Sequence, residues 1–199
     1  MRIGIDISQL AFENTGVANY LKNLVEHLVE QDTKNEYVLF YSSLRKDLPE
    51  SKVWKNGGKI KDEFLPKVAS LTIAQYRFPP VFLEFLWNRL HIFPMERLLG
   101  PIDIFLSSDW VQPPTKAKKI TILYDLIVYK YPEETHNQVG FSLRNLIFSA
   151  NIVASQKRRL KWVKKEVDKI LCISEATKRD AEEILSIPQE KLDVVYPGF

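Results

Sequence analysis

Arg2-Ile3-Gly4-Ile5-Asp6-Ile7, then Val17-Ala18-Asn19-Tyr20-Leu21-Lys22-Asn23-Leu24-Val25, then Tyr37-Val38-Leu39-Phe40-Tyr41 are the stretches whose reading decides the fold. The first is short, apolar at Ile3, Ile5 and Ile7, and followed by a polar loop, which is the pattern of a buried or half-buried strand. In the second, apolar residues recur at Val17, Tyr20, Leu21, Leu24, Val25 and Leu28, a spacing that places them on one face of an α-helix. The third is continuously apolar and aromatic and predicts a second strand. Strand, helix and strand in this order make a β-loop-α-β unit, and such units imply a parallel sheet flanked by helices.

Working outward, further strands of about five residues are predicted at 102–106, 120–124, 169–173 and 192–196, each mostly apolar with β-branched or aromatic members. Between 137 and 167, Leu143, Leu146, Ile147, Ala150, Val153, Leu160, Val163 and Val167 keep helical period. A last helix opens at Ser174, whose hydroxyl can accept from an orphan backbone N–H, and Glu175 suits the positive end of its dipole; it closes before Pro188. The proline- and aromatic-rich stretch 44–101 predicts a short strand near 60–65 and broken helices starting near Pro80 and Pro94. The fold class expected is α/β, a Rossmann-like doubly wound, mostly parallel sheet with helices on both faces.

At 199 residues with 45% apolar and 27% charged composition, the chain can bury one large core and lacks the signature of disorder. A net charge of +3 gives no ground to expect nucleic acid. The lone Cys172, in an apolar run, is expected as a buried reduced thiol, which suits the cytoplasm. Asp6 interrupts any signal-peptide core, and no apolar run approaches ~18 residues, so a soluble or at most peripheral protein is expected.

Thr15 and Gly16, where a strand-loop-helix turns, have the geometry that offers free backbone N–H groups to a phosphate; the same residues also suit an ordinary capped helix start. Tyr124 and Asp125 end one predicted strand and Asp109 follows another, so all three reach the same rim of the sheet. Asp125 could orient a hydroxyl or could simply start a turn, and Asp109 reads the same two ways. His27, His91 and His136 share no metal-ligand spacing, so no metal site is expected. There is no G-x-S-x-G elbow and no G-x-x-x-x-G-K-[ST] loop, against a serine hydrolase and a P-loop phosphotransferase. Lys157, Arg158, Arg159, Lys161, Lys164 and Lys165 read as a solvated helix face, with contact to an anionic surface as the alternative. The aromatics between Tyr76 and Phe93 are read as core, or, with that basic face, as a peripheral surface for a lipid-linked acceptor.

Taken in order, these residues resemble the N-terminal domain of retaining family 4 glycosyltransferases of the GT-B architecture. The resemblance runs through Ile3-Gly4-Ile5-Asp6, the loop and helix from Thr15 to Leu24, Asp103-Ile104-Phe105 and Pro113-Pro114. It is most specific in Tyr124-Asp125-Leu126-Ile127 with Tyr131-Pro132-Glu133, in Ser174-Glu175-Ala176-Thr177-Lys178-Arg179-Asp180, and in Val194-Val195-Tyr196-Pro197-Gly198. It implies transfer of a sugar from a nucleotide diphosphate sugar to a glycan or lipid-linked acceptor, with retention and without a metal cofactor. By the same resemblance, Thr15 and Gly16 form the donor-phosphate loop, Tyr124 and Asp125 are the catalytic pair lining the sugar site, and Ser174 and Glu175 line the interdomain cleft. Two positions depart from the pattern: the loop has fewer glycines than is usual, and Tyr124 stands where histidine is usual.

The resemblance divides the chain into an acceptor-side domain, 1–195, and the start of an interdomain linker, 196–199; the donor-binding C-terminal GT-B domain is expected in cis or trans, and the chain alone is expected to be inactive. Peripheral contact at the inner face of the membrane is a further expectation. The alternative is a non-catalytic glycan- or partner-binding Rossmann-like module. A dinucleotide-binding domain ranks below both, because its fingerprint glycines are missing.

Overall fold

The computed structural model describes residues 1–51, 53–54, 70–107, 109–131 and 152–198. Among them, seven strands form one sheet in the order β3-β2-β1-β4-β5-β6-β7, with every pairing parallel. The strands are β1 (Arg2–Asp6), β2 (Glu36–Ser42), β3 (Leu71–Tyr76), β4 (Ile104–Ser107), β5 (Lys118–Leu123), β6 (Lys169–Cys172) and β7 (Leu192–Val194). The order reverses between β1 and β4, the switch point at which doubly wound sheets open a crevice. A 3₁₀ turn at Ser8–Ala11 follows β1 and leads to helix α1 (Gly16–Gln31).

Side-chain alternation assigns each helix to a face. Ile5 of β1, Leu39 and Tyr41 of β2, Leu106 of β4 and Ile122 of β5 point to one side and meet Leu21, Val25 and Val29 of α1. Val38, Phe40 and Phe105 point to the other side, against α2 (Pro80–Glu84), the π-helical turn that continues it (Phe85–Arg89) and α3 (Glu96–Leu99). On this second face Ile170, Cys172 and Leu192 also meet α5 (Ile152–Glu166) and α6 (Glu175–Leu185), while α4 (Ile127–Lys130) is one short turn after β5. Cys172 is buried, as expected, and burial pushes its thiol up to about 11. Gly4 suits a tightly packed site: a Cβ there would stand 3.0 to 3.2 Å from the side chains of Leu99, Phe105 and Ile102, which would have to give way slightly.

The broken helices near Pro80 and Pro94 are present as α2 with its π turn and as α3. The expected strand at 60–65 lies outside the described residues, as does the first half of the helix at 137–167. Strand β3 was not anticipated. It is an edge strand, pairs only with β2, and its Leu-Thr-Ile-Ala-Gln-Tyr sequence is half-buried with Thr72 and Gln75 exposed, so it lacks the apolar run that marks the central strands.

The basic cluster is corrected at two positions. Lys157, Lys161, Lys164 and Lys165 are exposed, but Arg159 is fully buried and Arg158 is paired with the buried Glu84, its Nε 2.7 Å from the carboxylate. The helical period explains this. Arg159 falls between Gln156 and Val163 on the stripe that α5 turns toward the sheet, so its charge lies inside the fold.

Candidate functional site

All strands being parallel, the loops after β1, β4, β5 and β6 emerge on one edge of the sheet, and every candidate residue lies on those loops or on the helix starts they feed. At β1 the chain ends on Asp6, a buried carboxyl that accepts the Ser8 N–H at 2.9 Å; burial holds it above the usual carboxylate range, and the bonds with Ser8 oppose that.

Asn14, at φ 66°, turns the chain into α1. Thr15 is the helix N-cap: its Oγ accepts the Ala18 N–H at 3.2 Å and donates to the Phe12 carbonyl at 2.9 Å. The N–H groups of Gly16 and Val17 have no hydrogen bond among the described residues. Gly16 is exposed, and a Cβ built on it would touch nothing within 4 Å. Its glycine is thus not demanded by the packing of the chain itself.

Tyr124 and Asp125 follow β5, as the sequence indicated, but their side chains diverge. The Tyr124 ring is buried, edge-on to Tyr20 of α1 at a centroid distance of 5.6 Å and an interplanar angle of 83°. Asp125 is exposed, and its Oδ1 accepts the Ile127 N–H at 3.0 Å, which starts α4. Ser174 caps α6 as expected, its Oγ accepting the Thr177 N–H at 3.1 Å, with Glu175 in the first turn. Thr177 then donates from Oγ1 to the Tyr124 carbonyl at 3.0 Å. That bond fastens the start of α6 to the end of β5, and so joins two of the motifs singled out in the sequence. Among the described residues no hydrogen bond or ion pair joins the Thr15–Gly16 loop to Asp125; they share the rim through the sheet.

Beneath this rim is a polar centre that the residue types alone did not disclose. Arg159, 0% exposed, donates from Nη2 to Thr121 Oγ1 at 2.8 Å and to the Ile122 carbonyl at 2.9 Å, and its Nη1 stands 3.5 Å from Asp109 Oδ1. Ser107 Oγ lies 2.7 Å from Gln112 Oε1 and 2.8 Å from Thr121 Oγ1. Gln156 holds Asp109 from the side, its Nε2 donating to the backbone carbonyl at 2.8 Å. Asp109 is therefore fixed in place with its side chain 27% exposed. Burial raises its pKa to about 6; Arg159 opposes the shift, and the neighbouring charge of Asp125 adds to it. The charge of Asp125 is thus felt at Asp109, whose carboxyl keeps its proton to a higher pH than an ordinary carboxylate. The signal for Arg159 was its place on the apolar period of α5; Asp109 had been noted at the rim, but not its anchor.

A cavity of about 280 Å³ lies on the same edge, under α2 and beside the ends of β1 and β2, with Trp110 in its wall next to Asp109. No helix among the described residues is long and apolar enough to cross a membrane.

No curated protein matches the chain. The sequence model for Glycosyltransferase Family 4 matches residues 14–199, a span that contains α1, the Tyr124–Asp125 and Ser174–Thr177 motifs and the buried centre between them. With that match over nearly all of its length, on an all-parallel Rossmann-like sheet whose loops converge on one rim, the chain belongs to Glycosyltransferase Family 4.

Proposed function

We propose that the chain is the acceptor-binding, N-terminal half of a GT-B glycosyltransferase that moves a sugar from a nucleotide diphosphate sugar to a glycan or lipid-linked acceptor, with retention and without a metal. The observation that carries this reading is the single rim on which unbonded amides, at Gly16 and Val17, accompany two carboxylates, Asp109 and Asp125. Charge accumulates on the departing diphosphate, and helix-start amides are suited to an anion. Asp125 is exposed and suited to accepting sugar hydroxyls. Tyr124, buried against Tyr20, supports the end of β5. Ser174 and Glu175 line the side of the cleft facing a second domain.

Two amides stabilise only part of the leaving group, and one missing oxyanion donor alone commonly costs about 2.7 to 4 kcal/mol. The reading therefore includes a C-terminal donor-binding domain, beginning beyond residue 195 or supplied as a separate chain, and no turnover without it. Incubation with nucleotide sugars and acceptors, in EDTA, with and without a family C-terminal domain fused after Phe199, tests it. Transfer by the fusion and none by the chain alone is the expected result. Robust transfer by the 199-residue chain would overturn the division of labour.

Burial of the Tyr124 ring favours a second reading, a non-catalytic glycan- or partner-binding module, because a side chain enclosed in the core is poorly placed for chemistry. Failure of every fusion, with glycan binding retained, would select it.

The reading also places the protein in the cytoplasm, at the inner face of a membrane. Phe82, Phe85, Leu90 and Ile92 are 44 to 51% exposed, and α5, which carries the four exposed lysines, packs against the same segment through Trp162 Nε1 and the Asn88 carbonyl at 2.9 Å. Co-sedimentation with vesicles that rises with anionic lipid and falls with salt is the expected behaviour; indifference to both would remove this part.

A further inference from the structure

We propose that the cavity under α2 is the acceptor's anchoring subsite and that it takes an anionic amphiphile, an alkyl or prenyl chain carrying a phosphate. This deepens the glycosyltransferase reading and rests on it for the word acceptor. The binding claim stands on the cavity itself.

The walls present mainly apolar surface, with Ser8, Gln9, Ser42 and Ser43 also in the lining. Ala11 and Phe12 come from the segment after β1, Leu83 from α2, and Trp110 and Val111 from the loop after β4. Phe12 and Leu44 are each 48% exposed at the cavity, an arrangement that leaves apolar surface in water unless something covers it. At about 280 Å³ the space is at the lower limit of small-molecule sites and fits a short stretch of chain rather than a whole lipid.

The charge of the lining is asymmetric. Arg45 and Lys46 line the cavity, both exposed, and neither side chain has an ion pair among the described residues, whereas the adjacent Asp47 is engaged with Arg77 at 3.4 Å. The one acid of the lining, Asp6, is buried, accepts the Ser8 N–H on its Oδ1, and forms no ion pair with Arg45 or Lys46 among the described residues. Apolar walls with two uncompensated cations match a ligand that joins an apolar chain to an anion. Location supplies the link to transfer. Trp110 follows Asp109 directly, so the cavity shares a wall with the loop that carries this rim carboxylate. Helix α2 gives Leu83 to the cavity and Phe82 to the exposed patch, which Phe85 of the π-helical turn continues, so this segment is the natural border between the cavity and a membrane surface.

The test is calorimetric titration of the 199-residue chain with decyl phosphate below its micellar concentration, beside decyl glucoside, inorganic phosphate and phosphatidic acid vesicles, with amide NMR to locate the binding. Decyl phosphate should bind, with shifts at Ala11, Leu44 and Trp110. The double variant Arg45→Ala/Lys46→Ala, at two exposed positions, should weaken it by roughly tenfold or more while leaving the weaker decyl glucoside unchanged. Phe12→Ala should weaken both amphiphiles. Inorganic phosphate should not shift these residues, and binding to vesicles but not to soluble decyl phosphate would assign the anion preference to a lipid surface and overturn the cavity. Equal affinity for the two amphiphiles, or no effect of the charge variant, would also overturn it. If decyl phosphate binds as described but no fusion transfers sugar, the cavity stands and the glycosyltransferase reading falls. If fusions transfer only to neutral acceptors, the reverse holds.

Discussion

After β5 and β6 the polar groups answer one another: Thr177 Oγ1 bonds the Tyr124 carbonyl, Ser174 Oγ takes the Thr177 N–H, and Arg159 is shared by Thr121, Ile122 and Asp109. After β1 and β2 Ser8 bonds Asp6 and Ser42 and Thr15 caps α1, but the Gly16 and Val17 amides and the Arg45 and Lys46 side chains have no partner among the described residues. Burial accounts for the difference. An unpaired group in the interior costs about 1 to 3 kcal/mol, so the closed half is largely satisfied internally, with Gln112 Nε2 and Arg159 Nε the exceptions around Arg159 among the described residues, whereas water satisfies the open half until a ligand replaces it. One half of the rim is thus a preorganised support and the other is available for binding.

The most severe way to break the closed half is Arg159→Met, which leaves the Thr121 hydroxyl, the Ile122 carbonyl and Asp109 without their shared donor. Removing one partner of a buried charged pair typically costs about 3 to 5 kcal/mol, and a urea denaturation curve should show a loss of that order. A loss below about 1 kcal/mol would mean that this half is not held by the guanidinium.

Next in size is the pH response of Asp109. Its carboxyl titrates at about 6 in the fold against an ordinary value of 3.8, so between those values the native state holds a proton that the unfolded chain has released. Stability therefore falls as pH rises from about 4 to 6, by on the order of 2 to 3 kcal/mol from this group, and is greatest below the lower value. Stability curves for the wild type and Asp109→Asn should diverge over that window, and Asp125→Asn should move the Asp109 midpoint down, because its charge adds to the shift. Parallel curves would show that Asp109 is more solvated than its surroundings suggest.

The smallest effect separates the two halves directly. Inorganic phosphate should shift the Gly16 and Val17 amides, with a dipole contribution of about 0.3 to 1 kcal/mol, and leave the Thr177 amide, already taken by Ser174, unmoved. Equal shifts at both helix starts, or shifts at Thr177 alone, would abolish the distinction.

Much of this was legible from one-dimensional pattern. The central strands announced themselves because a parallel strand buried on both faces must be apolar along its length, as in Tyr37 to Tyr41. Thr15 and Ser174 were recognisable as caps because a hydroxyl at a helix start is a local chemical need. Edge strand β3 escaped because Thr72 and Gln75 answer to solvent rather than to a core. Arg159 was counted with a solvated face because charge type was weighed above helical phase, although the phase already placed it on the stripe of Val163.

The sequence by itself determined the α/β class, the parallel sheet and the rim on which the candidate residues stand, since periodicity and strand-helix alternation are properties of neighbours along the chain. The tertiary structure alone decided that Tyr124 turns into the core against Tyr20, that the charge of Asp125 bears on Asp109, and that Arg159 lies buried against Asp109. These are relations between residues 16 to 104 positions apart in the chain, and the Asp109–Arg159 pair, 50 positions apart, is one of them. Their energies depend on burial and distance, which no local pattern of residues encodes, because both arise only when the strands have been laid side by side.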